Sequence, residues 1–347
     1  MLEPSSWVLA IDLMAMKHRS RLIALHPASA IALAFVLLVL PPAGATSQEA
    51  PDIGPLRNAP FVRVTGDVLR YELVPSYKGT FKGTSFSTNR WGMRDKDYAQ
   101  KPPPRTYRMA LVGSSYTMGG GVADDQTIDW LLEERLNAER RRPSDLRYEI
   151  LNYSVGGYGI LQNVAVTEKK VLPFSPNAVL LVLQSSERRR MVSFLSGLVR
   201  AGVPVEYPFV REKLQQAGVT REMEEPELRR RLSPFAVDLV RWSFQRIVEK
   251  CRQRGMVVVG ILFPETGRNR ERELKATAGW ASEAGIPVLT LDGAYTGHPI
   301  SSVKLSATDF HLNALGHKLV ADRLYQALHS PEAEPLKPGF AVPGSGH

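Results

Sequence analysis

From Tyr107 onward the chain alternates short, nearly unbroken apolar runs with stretches of helical periodicity, and this alternation constrains the fold more than any other feature. The apolar runs are Arg108 to Val112, Tyr148 to Asn152, Ala178 to Leu183, Met256 to Phe263 and Ile286 to Leu291. Runs of this kind read as strands of a parallel sheet. Between them, Ile128, Leu131, Leu132 and Leu136 fall on one helical face, and Leu161 to Leu172, Phe235 to Arg254 and Asn313 to Leu328 also carry helical patterning. Strands alternating with helices predict an α/β protein, a three-layer α/β/α domain around a central parallel sheet of about five strands, flavodoxin-like in plan.

With 347 residues, 44% of them hydrophobic, the chain can fill a sizeable core and has room for additions to that domain. Residues 46–105 mix turn formers with short runs such as Phe61-Val62-Arg63-Val64 and Phe81 to Thr88, then close with Lys101-Pro102-Pro103-Pro104. They read as a β-leaning N-terminal extension ending in a linker. The main domain is expected over 106–330. An insertion at about 188–233 breaks its rhythm, carrying the runs Arg188-Arg189-Arg190 and Arg229-Arg230-Arg231 around a proline-bearing middle, and reads as mostly helical. Residues 331–347, rich in Pro, Gly and Glu, read as a disordered tail. There is no internal repeat.

Residues 1–45 read as a secretory signal: cationic Lys17, Arg19 and Arg21, the apolar run Ala28 to Leu40, Pro41-Pro42, and the small triplet Ala43-Gly44-Ala45. The rival reading is an uncleaved anchor over Leu22 to Leu40. The first makes the protein periplasmic or secreted, and the second places it on the inner membrane facing the periplasm; any membrane association would run through this segment. Cys251 is the only cysteine, which excludes an internal disulfide and a thiolate metal site. The seven histidines show no metal-ligand spacing and no phosphate-cradling glycine motif occurs, so neither metal nor cofactor is expected. A net charge of +9 on an exported chain points to anionic cell-surface polymers or lipid headgroups rather than nucleic acid, or simply to a solvated basic surface.

Ligands of an open parallel sheet bind beyond the carboxyl ends of the strands, so the loops there are where chemistry is sought. After the first run comes Gly113-Ser114-Ser115-Tyr116-Thr117-Met118-Gly119-Gly120-Gly121-Val122, a glycine-flanked turn that can expose a serine hydroxyl. After the second comes Asn152-Tyr153-Ser154-Val155-Gly156-Gly157-Tyr158-Gly159, whose glycines let backbone N–H groups approach a developing oxyanion. Before the last helical stretch lies Asp309-Phe310-His311-Leu312-Asn313-Ala314-Leu315-Gly316-His317, with an imidazole and a carboxylate. His317 reads as a core histidine of that helix, and Asn313 as a residue that helps start it.

These ordered blocks resemble the SGNH hydrolase (GDSL-like) superfamily over most of residues 107–328. Asn89-Arg90-Trp91-Gly92-Met93-Arg94-Asp95 looks like the lead-in that precedes the nucleophile block in one bacterial branch. The resemblance implies Ser115 as nucleophile and, through its N–H, first oxyanion donor; Gly157 as second donor; His311 as general base; and Asp309 as its orienting partner. Three departures accompany it. Ser114 stands where the family usually has Asp. Leu183-Gln184-Ser185-Ser186-Glu187 replaces Gly-x-Asn-Asp, so that Ser186 takes the place of the oxyanion asparagine with a shorter donor. The carboxylate is two residues before the histidine rather than three, a form of some sugar-modifying branches.

The activity implied is that of a serine esterase or deacylase working through an acyl-enzyme on Ser115, on an acylated small molecule or glycan of the cell envelope. The alternatives are a polysaccharide O-acyltransferase using the same serine, and a catalytically impaired binding protein of the same fold.

Overall fold

The computed structural model describes Leu56 and residues 58–142, 145–267 and 270–336. Residues 1–45, where a signal or anchor is expected, lie outside the described residues.

The central sheet has five strands: β5 (Thr106–Val112), β6 (Arg147–Asn152), β7 (Ala178–Leu183), β8 (Val257–Leu262) and β9 (Val288–Thr290). Their order is β6-β5-β7-β8-β9, and every neighbouring pair is parallel. Each coincides with one of the five apolar runs. The reason is visible in β7, Ala-Val-Leu-Leu-Val-Leu, where all six residues are buried. Val179, Leu181 and Leu183 enter one core, while Ala178, Leu180 and Val182 enter a second on the opposite face. Period-two side-chain alternation requires apolar residues at every position when both faces are covered.

One face is covered by α3 (Ile160–Val166), α4 (Glu187–Arg200) and α7 (Ala236–Arg252), which bring Leu161, Leu195 and Phe244 to the core. The other face is covered by α2 (Ile128–Ala138) and α9 (Ala314–Leu328), through Leu132 and Leu324 among others. The expected three-layer α/β/α architecture is therefore the one observed. The region expected as a helical insertion holds α4, α5 (Pro208–Gln216) and α6 (Glu225–Leu232). Its first helix is no appendage, because Met191, Leu195 and Leu198 are buried in the main core.

The N-terminal extension forms two antiparallel hairpins, β1 (Val62–Val64) with β2 (Tyr71–Leu73), and β3 (Lys78–Phe81) with β4 (Thr84–Ser87). Phe61, Leu69, Tyr71, Leu73 and Phe86 are buried in the same core as α3 and α7, so these hairpins belong to the domain. The two residues before the proline stretch are tied to the sheet. The buried guanidinium of Arg108, in β5, holds them by donating to the carbonyls of Ala99 and Gln100. Residues 331–336, expected in the tail, form a 3-10 turn with Ala333 and Leu336 buried against the second core. Their apolar side chains are too few to register in composition, yet suffice to dock the turn.

Because β6 and β7 lie on opposite sides of β5, the sheet has its topological switch point at the carboxyl end of β5. The Ser115 and Gly157 loops leave β5 and β6 at that point.

Candidate active site

Ser115 is the first residue of α1 (Ser115–Met118), a single turn entered from Ser114 in extended conformation and closed by Gly119 at φ +77°. Arg94, almost fully buried, clamps this turn. Its Nη1 donates to the carbonyls of Met118 and Gly119, and its Nη2 to that of Val122 at 2.6 Å. Asn152 clamps it from the other side: its Nδ2 donates to the Thr117 carbonyl (2.9 Å) and to Asp129 (2.8 Å), and its Oδ1 accepts from Ser154 N–H. Asp95 in turn accepts the Asn152 N–H at 3.0 Å. The Asn89-to-Asp95 segment thus has a mechanical role, holding the Ser115 turn and the glycine loop together. The Ser115 turn is also held by an amide: Gln184 Nε2 donates to Ser114 Oγ at 2.5 Å, both side chains being buried. That amide comes from just after β7.

Ser115, Gly157 and His311 line one cavity of about 180 Å³, together with Leu56, Phe81, Lys82, Met118, Gly120 and Gly156. Gly157 has φ +85°, and a Cβ on it would fall 2.5 Å from the hydroxyl oxygen of Tyr71, which itself donates to the Gly156 carbonyl. Only glycine fits this loop as folded. Among the described residues, the N–H groups of Ser115 and Gly157 have no backbone acceptor. Both are thus available to an oxygen in the cavity.

His311 Nδ1 lies 2.6 Å from Asp309 Oδ1, and that oxygen also accepts the His311 N–H. Burial pushes the Asp309 carboxyl up, but Lys82 and His311 bind its charged form and bring it down to about 2. An ionised Asp309 makes Nδ1 the protonated nitrogen and leaves Nε2 with its lone pair. His311 itself is held below the ordinary histidine value, first by burial and then by the charges of Lys82 and Arg190, with Asp309 opposing them. The imidazole is therefore poised neutral, as a base must be. Its ring stands 5.4 Å from that of Tyr116. No hydrogen bond joins Ser115 Oγ to His311 in this structure, an arrangement common where a substrate has yet to align the pair.

The structure does not bring Ser186 to this cavity. It takes the N-cap position of α4 without a side-chain capping bond, and its Oγ receives Arg270 Nη1 at 3.1 Å and Arg189 Nη2 at 3.3 Å. His317 is buried on α9, and Asn313 caps that helix by accepting the Gly316 N–H at 3.0 Å.

Sequence reasoning missed Lys82. It sits in the tight turn of the β3–β4 hairpin, with φ +52° followed by Gly83 at +83°, and its Nζ lies 2.5 Å from Asp309 Oδ2 and 3.4 Å from His311 Nδ1. Lys82-Gly83 announces a hairpin turn, but nothing local announces a partner 227 residues away.

No family model and no curated protein sequence matches the chain. Among solved structures, it is similar to the psychrotrophic esterase EstA from Pseudoalteromonas sp., at 12% identity and TM-score 0.43, over 64% of this chain and 97% of that one. It is also similar to a lipase/acylhydrolase from Enterococcus faecalis, at 14% identity and TM-score 0.40, over 65% and 96%. A third is an acetylxylan esterase from Geobacillus stearothermophilus, at 13% identity and TM-score 0.41, over 65% and 95%.

Proposed function

We propose that the protein is a serine esterase or deacylase of SGNH type, removing an acyl group from an acylated glycan or small molecule through an acyl-enzyme on Ser115. The observation that carries this reading is the joint lining of one cavity by Ser115, Gly157 and His311, with His311 Nδ1 bound to an ionised carboxylate. In this mechanism the Ser115 hydroxyl attacks the acyl carbonyl while His311 Nε2 takes its proton. The tetrahedral oxyanion is held by the N–H groups of Ser115 and Gly157, each donor lowering the barrier by about 3–4 kcal/mol. His311 returns the proton to the leaving alcohol, and water then attacks the acyl-enzyme with His311 again as base. Export, which the N-terminal sequence suggests, would place the substrate in the cell envelope.

Hydrolysis of a short-chain p-nitrophenyl ester tests the reading. The wild-type protein should turn over, and Ser115→Ala and His311→Ala should each lose about 10²-fold or more in kcat/KM. Turnover that survives in both variants would rule out this serine and this base.

A further inference from the structure

The two arginine runs, indistinguishable in sequence, differ in their surroundings. In α6, Arg229 pairs with Glu225, and Arg230 and Arg231 pair with Glu227, all at 2.6–2.7 Å. Each arginine of that run has a carboxylate partner on its own helix, and the run reads as a solvated face. In α4, Arg188, Arg189 and Arg190 have no carboxylate at ion-pair distance among the described residues. Arg189 instead donates to Ser186 Oγ, and Arg190 Nη1 to the Tyr158 carbonyl at 3.1 Å, while Arg190 Nε is buried with no partner. A third guanidinium arrives from a different element: Arg270, before α8 (Glu271–Glu283), donates to the same Ser186 Oγ and has only Glu273 near it, at 3.8 Å. Two other carboxylates stand in this region: Glu187, buried beside Arg190, accepts the Ile160 N–H at 2.8 Å, and Glu265 accepts the N–H and hydroxyl of Ser185, both at 2.7 Å. Two guanidiniums converge on a neutral hydroxyl with no carboxylate among the described residues at hydrogen-bond distance of either, an arrangement that an oxyanion completes.

This cluster borders the proposed active site. Arg190 holds the carbonyl next to Gly157, and a Cβ on Gly159 would meet the Arg190 side chain at 3.3 Å. Gln184, two residues before Ser186, bonds Ser114, the neighbour of Ser115. On the far side, Tyr116 lies against His311 and feels the charges of Arg190 and Arg270.

We infer that Arg189 and Arg270, converging on Ser186 with Arg190 beside them, form a subsite for the carboxylate of an acidic sugar in the alcohol portion of the substrate. The glycan rests on the deacylase reading, whereas the anion preference rests on the guanidiniums alone. The position that the family gives to an oxyanion amide would here have become part of a substrate-selecting wall.

Calorimetric titration of the full chain with trigalacturonate and with its carboxyl-reduced, neutral counterpart tests this. The acidic trisaccharide should bind about ten-fold more tightly, with a preference that weakens as salt is raised. Arg189→Gln/Arg270→Gln should abolish that preference, as should either single change in part if the double variant does not fold. Arg229→Gln/Arg230→Gln should leave it intact. Equal affinity for the two trisaccharides, or an equal loss in the α6 variant, would overturn the subsite. Neither trisaccharide carries an ester, so failure here is distinct from failure of the deacylase reading, which ester hydrolysis alone decides.

Discussion

At the scale of single residues, Lys82 joins the N-terminal extension to the chemistry. Its ammonium binds the outer oxygen of Asp309 while standing close to His311 Nδ1. It therefore opposes a proton on the imidazole and also draws on the carboxylate that would favour one. A base must be neutral to act, so activity is lost as pH falls through the His311 pKa, which lies below the ordinary value. Lys82→Met removes a like charge and frees Asp309 for His311. Both effects raise the His311 pKa, so the acid limb of the kcat/KM profile should move to higher pH, and an unmoved limb would remove Lys82 from the account. Ser115, Asp309 and His311 could be singled out from local sequence because their spacing is short-range or patterned. Lys82 could not be read this way, since its partner is supplied by tertiary contact.

At the scale of elements, the glycine loop after β6 is set by close approach. Gly157→Ala would place a methyl against the Tyr71 hydroxyl and hold a non-glycine residue at φ +85°. The strain should destabilise the fold by about 1–3 kcal/mol, read as a shift of the denaturation midpoint. It should also lower the esterase kcat more than it raises KM if, as proposed, the displaced N–H holds the oxyanion. The five strands were legible from sequence because burial on both faces leaves few positions for polar residues, Arg108 and Glu149 being a paired exception. The hairpins of the extension were legible only as a β-leaning region: Arg63 and Glu72 point outward as a surface pair, and neither discloses that Phe61 and Leu73 pack on the domain core.

At the scale of the whole molecule, Arg108 shows how the extension and the sheet become one folding unit. It lies within an apparent apolar run, yet its side chain is wholly buried and meets Glu149, its register partner on β6, at 2.6 Å. Its remaining donors reach the carbonyls of Ala99, Gln100 and Phe174. Glu149→Gln leaves the guanidinium without its counter-charge and should cost about 3–5 kcal/mol of stability. Unfolding should then remain a single transition at lower denaturant, with the fluorescence of Trp91 in the extension and the far-ultraviolet dichroism of the helices moving together. Separate transitions would mean that the extension folds apart from the sheet. The sequence did not show that Ala99 and Gln100, just before the expected linker, are held, because prolines mark where a chain cannot form regular structure and not whether neighbouring carbonyls are bound.

The central claim is that Ser115 is a nucleophile activated by its surroundings. Treating the protein with a serine-directed fluorophosphonate and locating the adduct by peptide mass spectrometry tests it most directly. The account predicts a stoichiometric adduct on Ser115, lost in Ser115→Ala and slowed by about 10²-fold or more in His311→Ala. An unlabelled Ser115 in folded protein, or labelling that is indifferent to His311, would contradict it.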